Sequence, residues 1–355
     1  AVTGGGTALN YTRASRLLKD MQGEVCGAVL FDRSPSGLGE KEVTARVLIN
    51  ATGPWSDELR AEVGAPARIR KLRGSHLVFS RERLPLQRAV SLMHPRDHRA
   101  MFAIPWEGVS LIGTTDLDHT FSLADCEPFC TAAEINYILE AANCTFPSLE
   151  LAQSDVVSTF SGLRPIINTG QADPSKESRA HVVWQEHGLI TITGGKYTTF
   201  RIMTEQALQM AAPRLPHPAD LSARKKYFDP HPRERASIEL PEETYSYLIG
   251  RYGHETAALL AAAGVDENEP IHNLTNLWSE LRWAARTGAV EHLDDLLLRR
   301  IRLGMLLPDA ARADLDRIGD IVRSELDWDA QRWQAEVARY LEIYQKAYSP
   351  APAGC

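Results

Sequence analysis

The chain has 355 residues, 44% of them hydrophobic and 24% charged, an ordinary globular composition with room for two or three domains. A formal net charge of -7 leaves no overall electrostatic footprint for nucleic acid. No stretch approaches the roughly 20 apolar residues of a spanning helix, and no signal-peptide pattern opens the sequence.

In chain order, residues 8–18, 25–33 and 43–50 read as three strands, with Gly37-Leu38-Gly39-Glu40 as a hairpin turn that pairs two of them antiparallel. Val47 to Asn50 runs into Ala51-Thr52-Gly53-Pro54-Trp55, and Ser56 to Arg60 begins a helix. Ligands in open α/β sheets sit beyond the carboxyl ends of strands, and glycine there lets backbone approach a phosphate or ring. Residues 67–112 are strand-like again, with 75–79, 101–104 and 109–112 the clearest pieces. Glu134 to Asn143 has helical spacing, with Ile135, Ile138 and Leu139 on one face. Residues 156–163, 181–184 and 189–193 return to strand, and a long helix runs from about 198 to 212. Residues 213–235 are rich in Pro, Lys and Arg and read as a linker. From 241 to 348 a 3.6-residue period holds almost throughout, broken near Gly264, Pro270 and Pro308.

Several segments carry chemistry. Leu189 to Thr193 leads into Gly194-Gly195-Lys196-Tyr197-Thr198-Thr199, a strand entering a Gly-Gly turn with Thr198 or Thr199 placed to cap the next helix. Such a turn offers backbone N–H groups and a helix dipole to an anion, such as the pyrimidine edge of a reduced flavin, and Lys196 adds a full charge. It also suits a plain strand–turn–helix junction with a solvated lysine. Ser161-Gly162-Leu163-Arg164-Pro165 ends a strand on an arginine that can hold a carboxylate or phosphate bidentately, or form a surface salt bridge. Arg73-Gly74-Ser75-His76 offers a histidine suited to general-base work near neutral pH, or a structural one. Gly113-Thr114-Thr115-Asp116 either lines a polar pocket or starts a turn. Arg299-Arg300-Ile301-Arg302 suits anionic lipid or a solvated helix face.

The five cysteines, Cys26, Cys126, Cys130, Cys144 and Cys355, are odd in number and uneven in spacing. Cys126 and Cys130 form a C-x-x-x-C pair that nothing completes as a zinc site, so no metal is expected and reduced thiols are. There is no P-loop, no nucleophile elbow and no G-x-G-x-x-G. Ala1 and the residues after it read as mid-domain sequence, which predicts a truncated or processed chain.

Taken together, Ile49 to Trp55, Lys71 to His76, Ala103 to Gly108, Ile112 to Asp116, Ser161 to Pro165, Gly194 to Thr199, Leu281 to Ala284 and Leu293 to Gly304 resemble the FAD-dependent glycerol-3-phosphate dehydrogenases of the D-amino-acid-oxidase-like flavoprotein superfamily. The likeness spans about residues 1–345 in family order. It implies α/β plus α+β architecture: an incomplete Rossmann-like FAD-binding domain (1–62 and 186–214), an antiparallel-sheet substrate domain (63–185), a linker (215–235) and a C-terminal helical domain (236–349). It implies oxidation of sn-glycerol 3-phosphate to dihydroxyacetone phosphate, with electrons passing to quinone, in an enzyme peripheral to the cell membrane on its cytoplasmic face. A homodimer stays open.

By the same resemblance Ala51, Thr52, Gly53, Gly194, Gly195, Lys196 and Thr198 would touch FAD. His76, Arg164 and Lys196 would be catalytic, and Ser75, His76, Arg164 and Lys196 would meet substrate. Two alternatives stand beside this: a glycerol-3-phosphate oxidase using oxygen, and a non-catalytic fragment acting as an interaction or membrane-docking module. The family's glycine-rich strand–turn–helix is missing from the sequence. Without that helix N-terminus the chain alone is expected to bind FAD weakly or not at all, and to be inactive.

Overall fold

The computed structural model describes residues 4–123, 127–172, 174, 177–217 and 240–354. The chain forms two compact units, the first from Ala1–Arg73, Asp116–Thr120 and Leu163–Lys225, the second from Gly74–Thr115, Phe121–Gly162 and Lys226–Cys355.

The first unit holds two three-stranded sheets. In one, β1 (Thr12–Lys19), β2 (Val25–Asp32) and β3 (Glu40–Thr44) form an antiparallel meander. Its β2–β3 connection does turn as expected, but the tight turn sits earlier than 37–40, closed by the Gly37 N–H on the Ser34 carbonyl (3.0 Å), with Gly39 at φ 76° leading into β3. The other sheet has the order β11-β12-β4, from β4 (Leu48–Asn50), β11 (His181–Glu186) and β12 (Leu189–Gly194). Here β12 pairs antiparallel with β11 and parallel with β4. Residues 43–50 therefore do not make one strand. The chain leaves the meander after Thr44 and enters a different sheet at Leu48, so the segment must break between them. Helix α1 (Ser56–Glu62) follows β4, and α3 (Phe200–Ala211) follows β12. The short β9 (Leu117–Asp118) pairs with Leu72 and Arg73 at the start of β5 (Ile69–Ser80). Leu17, Val25, Leu59, Val63 and Leu189 make a small apolar core.

The second unit is layered. β6 (Val90–Met93), β7 (Ala100–Trp106), β8 (Val109–Gly113) and β10 (Val156–Ile167) join β5 in the order β10-β5-β8-β7-β6. Strand alternation sends successive side chains to opposite faces. Leu77, Phe79, Met101, Ala103 and Ile112 pack on one face against Ile135, Ile138 and Leu139 of α2 (Ala132–Thr145). Val78, Val109 and Leu111 on the other face join the core of the C-terminal helices. Those are α4 (Glu242–Tyr252), α5 (Thr256–Ala261), α6 (Trp278–Thr287), α7 (Leu303–Leu306), α8 (Leu315–Val322) and α9 (Ala330–Ala347).

The periodicity over 241–348 conceals irregular pieces. Asp295–Arg300 is a π-helix, and Asp309, Ala310 and Ala311 all have positive φ. No described helix is long and apolar enough to cross a membrane. Cys126 and most of the expected linker lie outside the described residues.

Candidate functional site

In the first unit, β4 and β12 run parallel with Asn50 opposite Thr191, so Ala51-Thr52-Gly53 and Gly194-Gly195 both lie at strand carboxyl ends. Asn50 is 1% exposed and organises the first turn. Its amide donates to the Ser56 carbonyl (2.9 Å) and to Thr191 Oγ1 (3.3 Å), while its Oδ1 accepts from the Thr52 hydroxyl (2.7 Å). Gly53 sits at φ 59°, where a side chain would be strained, and Pro165 Cγ lies 4.0 Å from the position a Cβ would take. The turn thus lies beside the residue that follows Arg164.

Gly194 and Gly195 have φ of 73° and 74°. A Cβ on Gly195 would stand 2.7 Å from Met203 Sδ, and one on Gly194 2.7 Å from the Ala180 carbonyl. Both positions therefore require glycine on conformation and on space. Thr198 or Thr199 was expected to cap the helix; Thr199 takes the N-cap position of α3 but makes no side-chain cap bond. A 3₁₀ turn (Tyr197–Thr199) intervenes, and the Thr199 hydroxyl donates back to the Lys196 carbonyl (2.8 Å) and accepts from the Lys196 N–H (3.1 Å). Lys196 and Thr198 are exposed. Bare glycine backbone at two neighbouring strand ends fits the approach of a flat, partly anionic ring.

Arg164 Nη1 donates to Asp116 (2.9 Å), whose other carboxylate oxygen accepts from Arg179 (3.0 Å). The Asp116 side chain is fully buried while that of Arg164 is 31% exposed. Of the Gly113-Thr114-Thr115-Asp116 alternatives, Asp116 proves to be the anchor of two arginines. Arg179 carried no signal in the sequence. Beside it, Arg70 hydrogen-bonds Asp118 (2.6 Å) and holds that carboxyl below its ordinary range.

His76 and Ser75 belong to the second unit. His76 pairs with Gly113 in register and its ring crosses that glycine, where a Cβ would come within 2.2 Å of His76 Cδ2. The ring stacks on Phe160 at 4.6 Å with planes 12° apart. Ser75 was expected to touch substrate. It is fully buried on the α2 side, its hydroxyl donating to Glu134 (2.7 Å) and lying 2.7 Å from Ser161 Oγ. Its place is in the scaffold behind His76.

The basic run is also committed. Arg299 bonds Asp294 and Glu127, Arg300 donates to the Gly288 carbonyl (2.6 Å), and Arg302 pairs with Glu107 and stacks on Trp106. These arginines close the helical region instead of forming a free cationic face. Among the described residues no cluster of His, Cys, Asp or Glu could hold a metal.

Residues 1–201 match the model of the family described as FAD dependent oxidoreductase, and residues 190–333 match the C-terminal domain of alpha-glycerophosphate oxidase. The chain is 33% identical over 316 residues to a glycerol-3-phosphate dehydrogenase of Mycobacterium leprae, covering 84% of this chain and 53% of that protein. It is 27% identical over 376 residues to the aerobic glycerol-3-phosphate dehydrogenase of Staphylococcus aureus, covering 99% and 66%. The crystal structure of a glycerol-3-phosphate dehydrogenase from Bacillus halodurans, complexed with FAD, superposes with a TM-score of 0.77 at 27% identity, covering all of this chain and 72% of that one. The chain spans about half the length of the mycobacterial relatives it matches. On the extent of the family match, which carries both glycine turns, the chain belongs to the FAD dependent oxidoreductase family.

Proposed function

We propose that the chain is the larger part of an FAD-dependent glycerol-3-phosphate dehydrogenase. The observation that carries this reading is the side-by-side placement of two glycine turns at the carboxyl ends of β4 and β12, with Pro165, the residue after Arg164, against the first. In this reading residues 1–62 and 186–214 form the flavin-binding part, 63–185 the substrate part, 215–235 a linker and 236–349 the helical part. Ala51, Thr52, Gly53, Gly194, Gly195, Lys196 and Thr198 would hold FAD, which when bound supplies the two-electron acceptor. Arg164 would grip an anionic oxygen of glycerol 3-phosphate, oriented by Asp116. His76 would accept the hydroxyl proton at C2 as hydride leaves that carbon, giving dihydroxyacetone phosphate. Lys196 would add positive charge where the ring becomes anionic.

Quinone as the final acceptor, a homodimer and attachment to the cytoplasmic face of a membrane belong to the same reading. Such attachment would use a surface other than the engaged arginine run at 299–302. A second reading, oxygen as acceptor, is favoured by the match of residues 190–333 to an oxidase domain. The test is anaerobic addition of glycerol 3-phosphate to the complete gene product loaded with FAD. Bleaching of the flavin band is expected, and an unchanged spectrum overturns the reading. Readmitting oxygen or a quinone analogue then separates the two acceptors by which one restores colour faster.

A further inference from the structure

Glu134 is 1% exposed, at the third position of α2, and sits where three segments of the second unit meet. Its Oε2 accepts from the Thr131 N–H (3.0 Å) and hydroxyl (2.8 Å), which caps the helix. Its Oε1 accepts from the Ser75 hydroxyl (2.7 Å) on β5 and the Thr115 hydroxyl (2.8 Å) just beyond β8. Thr115 Oγ1 in turn accepts from the Ser75 N–H (2.9 Å), and Ser75 Oγ meets Ser161 Oγ (2.7 Å) on β10. A hydroxyl has one proton to give. Ser75 gives its proton to Glu134, so Ser161 must be the donor to Ser75. With both Glu134 oxygens accepting, the direction of each of these hydrogen bonds is fixed.

The opposite face of the same three segments carries His76. Ser75 and His76 are consecutive in β5, so their side chains leave opposite faces. The imidazole lies across Gly113, two residues before Thr115, and against Phe160, next to Ser161. What Glu134 pins on one side is therefore the floor and wall of the imidazole on the other.

We infer that Glu134 is a positioning residue for His76, acting through Ser75, Thr115 and Ser161. This rests on the proposed role of His76, and the test separates the two. Glu134→Ala removes the hub, Thr115→Val removes one arm with little change of shape, and Thr131→Ala removes only the helix cap. Hydrogen exchange on the 355-residue chain should accelerate together in residues 74–80, 109–115 and 156–162 by about tenfold or more for Glu134→Ala and Thr115→Val. Thr131→Ala should quicken only the first turn of α2. In the complete gene product the first two variants should lower kcat about 10- to 100-fold and displace the His76 limb of the pH–rate profile, with KM nearly constant. Thr131→Ala should leave that limb in place.

Exchange in 74–80 that ignores Glu134→Ala, or that responds equally to Thr131→Ala, overturns the inference. Thr115→Val decides alone if Glu134→Ala fails to fold. Inactive wild-type protein would overturn the functional reading, and the exchange pattern would still decide whether Glu134 ties the three segments.

Discussion

The two units reach stability by different routes. The second has apolar cores on both faces of its sheet, built from residues such as Leu77, Phe79, Ile112, Leu281, Leu296 and Ile318, each essentially without exposure. The first has one small core and leaves Met21, Leu38, Ile49, Trp55, Tyr197 and Ile202 exposed. With so little apolar core beside it, its buried ion cluster carries a larger share of the stability. The Arg60 side chain has no exposure, is clamped by Glu186 (2.8 Å) and Asp57 (2.5 Å), and lies 4.4 Å from the Trp184 ring. Hydrophobic burial scales with area and tolerates small losses, whereas a buried charge depends on each of its partners. The difference means that the first unit should be the more brittle.

The sharpest test of the second unit is Leu296→Ala, expected to cost about 2–5 kcal/mol because the packed helices can only partly close the void. Calorimetry should show the second unit's transition falling while the first unit's stays. The matching break in the first unit is Arg60→Ala, at about 3 kcal/mol, since Glu186 and Asp57 would be left without their shared cation. A single shared transition that moves equally for both variants would remove the contrast.

Arg164→Ala probes a different kind of arginine in the same unit. Asp116 keeps Arg179, so Tm should move less than in Arg60→Ala. Steady-state kinetics of the complete gene product should nevertheless lose about 2–3 kcal/mol in kcat/KM for glycerol 3-phosphate. Unchanged kinetics would remove Arg164 from the site.

The smallest effect is a difference in pH slope. The Arg60 hydrogen bonds hold Glu186 below its ordinary range, so its stabilisation is full above the unfolded pKa and fades as pH falls through the lowered folded one. Glu280 behaves oppositely. Burial raises its carboxyl, outweighing the hydrogen bonds from Tyr252 and Tyr247 and the Arg251 charge. Its contribution is full below the unfolded pKa and is lost as pH climbs through the raised folded one. Glu280→Gln should flatten the second unit's loss of Tm with rising pH above about 4.5, the ordinary glutamate value. A slope unaltered by the substitution would assign it to other groups.

Local chemistry explains what was legible in the sequence. The β2–β3 hairpin, the helix around Ile135 and Ile138, and the glycine turns after Asn50 and Thr193 each follow from residues within a few positions. The switch of sheets between Thr44 and Leu48 was hidden, because a run of alternating side chains does not say which strand it will pair with. In the same way the helical period continued through the π-helix at Asp295–Arg300. Among the candidate residues, His76, Arg164 and Gly195 announced themselves by type and neighbours. The pairings that support them did not. Asp116 and Arg179 are 63 residues apart, and Ser75 and Glu134 are 59 apart. The helical spacing marks Glu134 only as part of a helix; its cap with Thr131 is local, while its other carboxylate oxygen is used by distant Ser75 and Thr115.

The parallel pairing of β4 with β12 also bears on how the molecule is made. Asn50 donates to Thr191, 141 residues later in the chain. During synthesis the turn at 51–53 therefore waits, beside an unfilled strand edge, until more than a hundred further residues have emerged. The intervening residues include most of the sheet and α2 of the second unit, whose contacts are more local. Non-local strand pairing of this kind is slow, since loop closure costs entropy before any contact offsets it. The glycine turns at the strand ends should thus be among the last parts to take shape, and the exposed segment around Ile49 the one that most needs protection on the ribosome.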